Sequence, residues 1–476
     1  MKSGSITAYL ALTFGIMMSF VCVLITGARE RAIQMKTEIS MDAALYSVFA
    51  EYNRELLSQY DLLFIDTSYG GGQGRIANVE EHLSHYMNRN FDETKTGLFV
   101  KDLLALSATD VVTEKYSLAT DLKGTVMQRQ AVDYMKTKYG LHCMDKVKGM
   151  FDQASDNHFF TKNVSDMQQA NQQEIGSKGL PKRKNKDDEW EEVAIDNPAD
   201  GVNGLRASAI LTLLVPKGQV VSKQTINPQN YVSKRQCEKG EGLLGRTGLS
   251  GTDSLLFDRY ILEKAGCYTN LKEQSKLHYE LEYILNGKPD DSKNLEATLS
   301  TLLFMRQASN FTYIMSDGAK IAEAEALAAT LAAVILMPEL LEPIKMSILF
   351  AWVFAESVYD VKHLLCGGKI PLIKNASSWH YSLEGMLSFQ TDASYANSGE
   401  QEEGFDYREY LGMLLLTKDH TTKRMRMMDV IEMDIRNTHG NRNFRLDLCL
   451  DYLEATVYVA SKYGYAEEIT RAYYYF

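Results

Sequence analysis

Residues Ile6 to Thr26 read ITAYLALTFGIMMSFVCVLIT and contain no charged side chain. As an α-helix rising about 1.5 Å per residue, this stretch is roughly 31 Å long, which matches the hydrocarbon core of a bilayer. The alternative is a cleavable signal peptide cut near Thr26-Gly-Ala28, but the apolar region of such signals has only about 7–15 residues. The stretch therefore predicts a retained transmembrane anchor over residues 1–27.

The helix is expected to continue beyond the membrane. Residues 29–60 contain neither Gly nor Pro, and from Met41 onward apolar residues recur at spacings of three and four. This pattern predicts a helical stalk over residues 28–60, with one side packed on a domain and the membrane-proximal turns standing free. Basic residues lie on both sides of the span, so charge alone does not set its orientation.

The rest of the 476-residue chain has the composition of a globular protein, with 45% hydrophobic and 24% charged residues. A chain of this length buries one or two sizeable cores. The net charge of −11 argues against nucleic acid as a partner, because phosphate binding requires a basic surface. The basic run from Lys182 to Lys186 is followed at once by Asp187, Asp188 and Glu189, which favours a solvated loop.

The six cysteines are scattered along the chain and form no C-x-x-C pair. This spacing indicates neither a disulfide scaffold nor a zinc or thioredoxin-like site. A disulfide between Cys237 and Cys267 stays open if the domain is extracellular, but free buried thiols are the favoured interpretation.

Residues 321–365 form the most apolar region outside the anchor. Its uncharged runs, Ala326 to Met337 and Met346 to Ala355, have 12 and 10 residues. As helices they reach roughly 18 and 15 Å, against a bilayer core of about 30 Å. They therefore predict a buried helical hairpin, with a membrane hairpin or re-entrant element as the alternative.

The whole pattern predicts an α+β fold, in which the anchor and stalk lead into a helix-rich extracytoplasmic domain with the apolar hairpin and a C-terminal antiparallel sheet. The expected parts are a first α+β part at 61–160, a polar linker or loop at 161–204, and a second α+β part at 205–476. Helices are predicted at 76–90, 125–151, 255–264, 271–285, 294–317, 407–416 and 421–436. Strands are predicted at 60–65, 103–116, 209–216, 444–450, 456–460 and 472–476.

Two glycine-rich stretches resemble nucleotide-binding loops only in part. Residues 240–245 match G-x-G-x-x-G, but the preceding residues are charged and form no hydrophobic strand. The loop at 70–74 lacks the lysine and hydroxyl residue of a phosphate-binding loop. Neither stretch predicts a cofactor site.

The histidines also show no recognised catalytic or metal-binding spacing. His82 and His85 lie three residues apart on a predicted helix, next to Glu81, but a third metal ligand is missing. The sequence therefore predicts no catalytic, cofactor-binding or metal-binding residues, no cofactor and no small-molecule substrate. We expect a protein that is not an enzyme.

The opening residues Gly4 to Leu12, GSITAYLAL, resemble the start of TadE/TadG-like proteins of the Tad (tight adherence, Flp-type) pilus system. The whole chain is similar to an uncharacterised family of membrane proteins found beside Tad pilus loci in clostridia-like Gram-positive bacteria. The stretches that carry this likeness are 281–287, 322–327, 355–361, 367–371 and 406–411. The resemblance implies a single-pass, pseudopilin-like surface component with an extracellular C-terminal domain. Its implied partners are the lipid bilayer and pilin-like or Tad assembly proteins.

One position departs from the pilin pattern. Prepilins are cut after a glycine, and the fifth residue of the mature chain is usually glutamate; counted from Ser5, this position is Tyr9. Cleavage between Gly4 and Ser5 stays a candidate, but an uncut anchor and an accessory role are favoured. Small residues at Ala8, Gly15 and Ser19 are candidates for helix packing in the membrane.

The favoured hypothesis is a non-enzymatic, membrane-anchored accessory component of a Tad/Flp-type pilus. One alternative is an anchored cell-envelope enzyme whose site assembles from distant residues. The other is a sensor or transport accessory in which 321–365 enters the bilayer.

Overall fold

The computed structural model describes residues 3–71, 73–92, 104–139, 145–178, 182–184, 190–192, 197, 199–241, 251–272, 275–389 and 403–475. This part of the chain is helix-rich and has a small antiparallel sheet built mainly from its C-terminal strands. The predicted α+β class is therefore confirmed.

The helices are α1 Ser3–Phe49, α2 Arg54–Tyr60, α3 Ile76–Phe91, α4 Asp121–Tyr139, α5 Asp145–Asp156, α6 Val164–Ser177, α7 Ala199–Gly204, α8 Ile210–Leu214, α9 Gly251–Lys264, α10 Glu280–Asn286, α11 Asp291–Ile314, α12 Gly318–Ile335, α13 Leu341–Leu365, α14 Leu383–Leu387, α15 Tyr407–Leu416 and α16 His420–Arg436. The strands are β1 Ile65–Asp66, β2 Leu106–Leu118, β3 Lys182–Lys184, β4 Trp190–Glu192, β5 Cys449–Ser461 and β6 Ala466–Tyr474.

The chain divides into two compact units. Unit 1 is drawn from the segments 1–134, 229–250 and 431–476, and unit 2 from 135–228 and 251–430. Unit 1 is therefore discontinuous in sequence, and unit 2 lies in the intervals between its segments.

Unit 1 is organised around β5, the central strand of its sheet. β2 pairs with β5 on one side and β6 on the other, both antiparallel, and the short β1 pairs with the first residues of β5. Because successive side chains of a strand point to opposite faces, Leu453, Val457 and Val459 lie on one face of the sheet and Glu454 on the other. The first face belongs to an apolar core; on the second, Glu454 pairs with Lys115 at 2.8 Å.

Helices α1 and α3 cover the apolar face of this sheet. Met41, Ala44, Leu45 and Val48 of α1 are fully or almost fully buried in the same cluster as the β5 side chains. Their spacing of three and four residues puts them on one side of the helix. This packing fixes the lower part of α1 to the sheet.

Unit 2 is organised around α13, whose side chains are buried on most of its circumference. α11 and α12 pack against it, and α12 does so through Ala324, Ala328 and Ala332, spaced four apart. The two helices predicted for 321–365 are therefore present. The opposite side of α12 is exposed and includes Val334 and Leu336, which are 76% and 85% accessible.

Several predicted elements differ from the structure. The apolar run 209–216, predicted as a strand, contains the helix α8, because a short uniform apolar run carries no period that separates the two. The strand predicted at 60–65 is reduced to Ile65–Asp66, since Tyr60 still belongs to α2 and Asp61 ends it in a left-handed conformation (φ 53°). The predicted helix 271–285 is limited to α10.

The stalk predicted as one helix over 28–60 is interrupted after Phe49, and the polar segment predicted as a linker or loop contains helices. α1 ends at Phe49, and α2 begins after Asn53, whose side chain caps it by accepting a hydrogen bond from the Leu56 N–H. The polar segment 161–204 contains α6, capped in the same way by Asn163, and also α7. Such caps let a polar sequence form helices without a strong apolar period.

Candidate functional site

The upper part of α1 is exposed apolar surface. Its most apolar 18-residue window has a mean hydropathy of 2.3, and none of that window is buried. Ile6, Leu10 and Phe14 are each more than 60% accessible. In the part of the chain that the structure describes, this is the one helix long and apolar enough to span a membrane.

The small residues predicted for helix packing lie on this exposed segment. At about 100° per residue, Ala8, Gly15 and Ser19 fall on one side of α1. In the described part of the chain, a Cβ added at Gly15 would meet no atom within 4 Å. Gly4 and Ser5 also belong to α1, but their side chains lie outside the described residues, so cleavage between them stays a prediction.

Contact between α1 and the rest of unit 1 begins directly below the span. The Arg29 guanidinium lies 3.6 Å from the ring centre of Tyr463, and one turn further on Ile33 is 97% buried. The membrane-proximal turns, predicted to stand free, are thus already packed on the domain. This packed side of α1 is the side on which Ala8, Gly15 and Ser19 lie.

The opposite side of α1 carries a second apolar row below the span. Met35, Ile39 and Tyr46, here called the outer stripe, are each more than 60% accessible. Their spacing of four and seven residues aligns them along the helix. Arg471 of β6 lies beside this stripe, 3.7 Å from Glu38 and 3.6 Å from Asp42.

Aromatic side chains of the C-terminal strand fix the lower end of α1. The Tyr46 and Tyr473 rings meet edge to face at 5.0 Å, and Phe49 meets Tyr475 at the same centroid distance. The Tyr475 hydroxyl donates a hydrogen bond to the Phe49 carbonyl, and burial raises the pKa of Tyr475 above its usual value. α1 and the sheet are therefore joined at two places, by Arg29 just after the exposed apolar segment and by this aromatic cluster at Phe49.

His82 belongs to a small polar group beside the sheet. Its Nδ1 lies 2.8 Å from Glu51 Oε2, its ring stacks on Tyr69 at 3.9 Å, and the Tyr86 hydroxyl donates to Glu51 Oε1 at 2.7 Å. Burial and the Glu51 charge raise the pKa of Tyr69. No group of three or more His, Cys, Asp or Glu side chains that could hold a metal is found among the described residues.

The glycine-rich loop before α3 borders a cavity of about 420 Å³ in unit 1. A Cβ on Gly74 would come within 2.8 Å of both Leu448 Cδ1 and Thr67 Oγ1, so any larger residue here must displace these side chains. The cavity wall also carries Arg75, Arg445 and Glu238. Its lining residues are Thr67, Ser68, Gln73, Gly74, Arg75, Ile76, Tyr116, Leu118, Glu238, Asn443, Arg445 and Leu448.

Arg445 is held in this wall by a network of ion pairs. Its Nη2 donates to Asp447 Oδ2 at 2.6 Å, and Asp447 Oδ1 also accepts from Arg235 Nη2 at 2.5 Å. Arg235 in turn forms a two-pronged pair with Glu432 at 2.7 and 2.8 Å. Burial alone would raise the pKa of Asp447, but the two arginines hold it below its usual value. The positive and negative charges of this network thus pair with one another, so the network stabilises the fold of unit 1.

The stretches that carry the family likeness, here called the motif stretches, all belong to unit 2. One of them, 355–361, contributes two carboxylates to a buried ion cluster, defined here as Arg306, Glu356, Asp360 and Lys374. All four side chains are fully buried. Arg306 Nε donates to Asp360 Oδ2 at 2.9 Å, and Lys374 forms ion pairs with both carboxylates. Two positive and two negative charges balance, which satisfies the requirement that buried charges be paired.

Sequence reasoning missed this cluster because its members come from α11, α13 and the loop after α13. One local signal was available: Glu356 and Asp360 lie four residues apart on a helix that is otherwise apolar. Two carboxylates on a buried face require cationic partners, which predicts an Arg or Lys packed against them.

A third buried carboxylate of the motif stretches, Glu282, also lies in unit 2. Its Oε1 accepts from the Tyr407 hydroxyl at 2.8 Å and from the Tyr268 N–H at 3.0 Å. Burial raises the pKa of Glu282 to about 7, because these neutral donors do not fully replace water around the charge. Glu282 and Tyr407, from two of the motif stretches, are thus bonded to each other inside unit 2.

The five cysteines in the described part of the chain are free thiols, and Cys267 and Cys449 are buried. Burial raises the pKa of Cys237 and of Cys267 to about 11. These two residues form no disulfide.

Comparison with known proteins identifies one family. Its sequence model, described as a family of unknown function (DUF5702), matches residues 188–461, which is more than half of the chain. The chain belongs to this family. No curated protein and no solved structure matches it.

The DUF5702 match covers all of the motif stretches and the buried ion cluster. It begins well after α1 and ends at Ser461, the last residue of β5. α1 and β6 therefore lie outside the matched region, although the lower part of α1 packs on the apolar face of the sheet and β6 pairs with β5.

Proposed function

We propose that this protein is a membrane-anchored, pseudopilin-like accessory component of a Tad/Flp-type pilus system, with its C-terminal part outside the cell and no enzymatic activity. It binds its partners through α1, as a helix packed against other helices. The main observation behind this proposal is that one continuous helix has an exposed apolar N-terminal half and a C-terminal half that packs on an antiparallel sheet.

The two apolar sides of α1 support a role in assembly. Within the span, Ala8, Gly15 and Ser19 offer a flat surface on which another helix can approach closely. Below the span, the outer stripe offers Met35, Ile39 and Tyr46 on the opposite side. Large side chains exposed in a row on a helix are typical of helix-in-groove or coiled-coil contacts.

The proposal is tested by complementing a deletion strain and counting pili. Ile39→Glu places a charge on the outer stripe, where the side chain is 61% accessible and the fold of unit 1 does not depend on it. We expect a loss of at least about tenfold in pilus number, since a charge buried at a helix interface costs more than about 1.4 kcal/mol. Val220→Glu, at a side chain that is 91% accessible, is the matched control and should restore wild-type piliation.

A second pair of variants separates the membrane contact from the stripe. Gly15→Leu fills the small-residue side within the span, whereas Val21→Leu enlarges the opposite side. We expect only the first to reduce piliation. Normal pili in the deletion strain itself would rule out the proposed function.

A further inference from the structure

The turn between β5 and β6, here called the hairpin tip (residues 461–466), is a tightly bonded structure. The Ser461 N–H donates to the Tyr465 carbonyl at 2.9 Å, and the Gly464 N–H donates to the Ser461 carbonyl at 3.0 Å. Gly464 has φ +86°, which a residue with a side chain would rarely adopt. The tip therefore has a well-defined backbone, which sets where its side chains begin.

The hairpin tip is also tied to the neighbouring strand. The Lys462 N–H donates to the Ala105 carbonyl at 3.2 Å, and the Ser461 hydroxyl donates to the Leu104 carbonyl at 2.6 Å. Lys462 and Tyr463 are nonetheless exposed, and Tyr463 is 53% accessible. A cation and an aromatic ring thus project from a rigid end of the sheet.

The contact between Tyr463 and Arg29 sets the position of the hairpin tip along the axis of α1. Arg29 lies three residues beyond Thr26, so its Cα is about 4.5 Å below the end of the uncharged span along the helix axis. The polar zone of a bilayer extends roughly 5–7 Å on each side of the hydrocarbon core. Since the Arg29 guanidinium lies 3.6 Å from the Tyr463 ring centre, the ring lies within that zone when α1 spans the membrane.

We propose that the hairpin tip is a membrane-interface contact, in which Tyr463 lies among the lipid headgroups and Arg29 and Lys462 bind their phosphates. The partner is the headgroup surface of the same bilayer that α1 spans, so the inference rests on the proposed anchor. Tyrosine favours this zone because its ring is apolar and its hydroxyl polar, and each cation near an anionic surface contributes about 1 kcal/mol. The contact fixes the rotation and tilt of unit 1 on the membrane.

The test places a fluorescent reporter at the tip of the full-length chain in vesicles. Tyr463→Trp is compared with Arg442→Trp, an exposed position in the loop that bonds to Asn53 beyond the far end of α1, roughly 30 Å away at 1.5 Å per residue. The signal of the three native tryptophans is subtracted with the wild-type chain. Lipids brominated near the glycerol end of their chains quench tryptophan at the interface.

We expect such lipids to quench the reporter at 463 at least about twofold more strongly than the reporter at 442. Adding Lys462→Gln to Tyr463→Trp should weaken this quenching in phosphatidylcholine vesicles that contain phosphatidylglycerol, and should change little in phosphatidylcholine alone. A chain that floats with the vesicles while the reporter at 463 stays unquenched overturns the tip contact and keeps the anchor. A chain that alkaline carbonate releases from the vesicles overturns both.

Discussion

The cores of the two units stabilise the fold by different means. In unit 1, the side chains between α1 and β5 are apolar, from Met41 and Leu45 to Val457 and Val459. In unit 2, the central helix α13 carries two buried carboxylates that are neutralised by Arg306 and Lys374. Loss of one apolar contact lowers the free energy of unfolding roughly in proportion to the buried area lost. A buried ion cluster is strongly destabilised when its charge balance changes. We therefore expect the core around α13 in unit 2 to be more sensitive to single polar substitutions and to pH than the apolar core between α1 and β5 in unit 1.

The largest loss of folding stability is expected from Asp360→Asn in unit 2. This change leaves Arg306 and Lys374 facing one carboxylate, and an uncompensated buried charge costs about 3–5 kcal/mol. Hydrogen exchange of the full chain in detergent should show faster exchange in peptides from α11 and α13. Glu323→Gln, which removes an equal charge from the exposed side of α12, is the matched control. Equal exchange in both variants would show that the cluster does not stabilise unit 2.

A pH-dependent effect of similar or smaller size is expected from Glu282. Its pKa is about 7 in the folded protein and about 4.5 when exposed, so ionisation is easier in the unfolded chain. The stability that neutral Glu282 provides is complete below about pH 4.5 and is lost as the pH rises through about 7, to a total of roughly 3 kcal/mol.

Glu282→Gln removes this titration while the side-chain oxygen still accepts from Tyr407. Unfolding by urea at a series of pH values should show the variant gaining stability relative to wild type between pH 5 and 8. Parallel curves for the two proteins would place the Glu282 pKa near its ordinary value. Asp258, whose pKa burial raises to about 6, titrates in both proteins and cancels in the comparison.

The smallest effect is expected in unit 1 from Val457→Ala on β5. Loss of two buried methyl groups costs about 2 kcal/mol through lost transfer energy and the cavity that remains. Exchange of amides in β5 and β2 should accelerate, with no change in α13. Val112→Ala on β2, at a side chain that is 39% accessible, should change little. A cost at Val457 above that of Asp360→Asn would reverse the order of sensitivity proposed for the two units.

Patterns local in sequence predicted much of the fold. α15 was expected at 407–416 and has those bounds, α3 and α16 differ by one residue at an end, and β2 covers most of 103–116. In each case the apolar period is strong and flanked by clear stop signals. The helix long and apolar enough to span a membrane was predicted from length and hydropathy alone, which require no knowledge of tertiary contacts.

Features that depend on distant contacts were not predicted. α12 and α13 have similar apolar composition, yet α13 is buried on most of its circumference and α12 only along one row of alanines, because burial depends on what packs against each helix. The ion cluster joins residues from 306 to 374, and no local pattern pairs them. The hairpin tip was missed for the same reason, since Arg29 and Tyr463 lie at opposite ends of the sequence.

The discontinuity of unit 1 has a consequence for the order in which the protein folds. α1 leaves the ribosome before the strand on which it packs, β5, which follows after more than 380 further residues. Unit 2 is made in between and can complete its core while α1 still lacks its sheet. Contacts between residues so distant in sequence form slowly, because the intervening chain must first be closed into a loop. Unit 1 is therefore the last part to mature, and its apolar face stays open to chaperones or early partners until the C-terminal hairpin arrives.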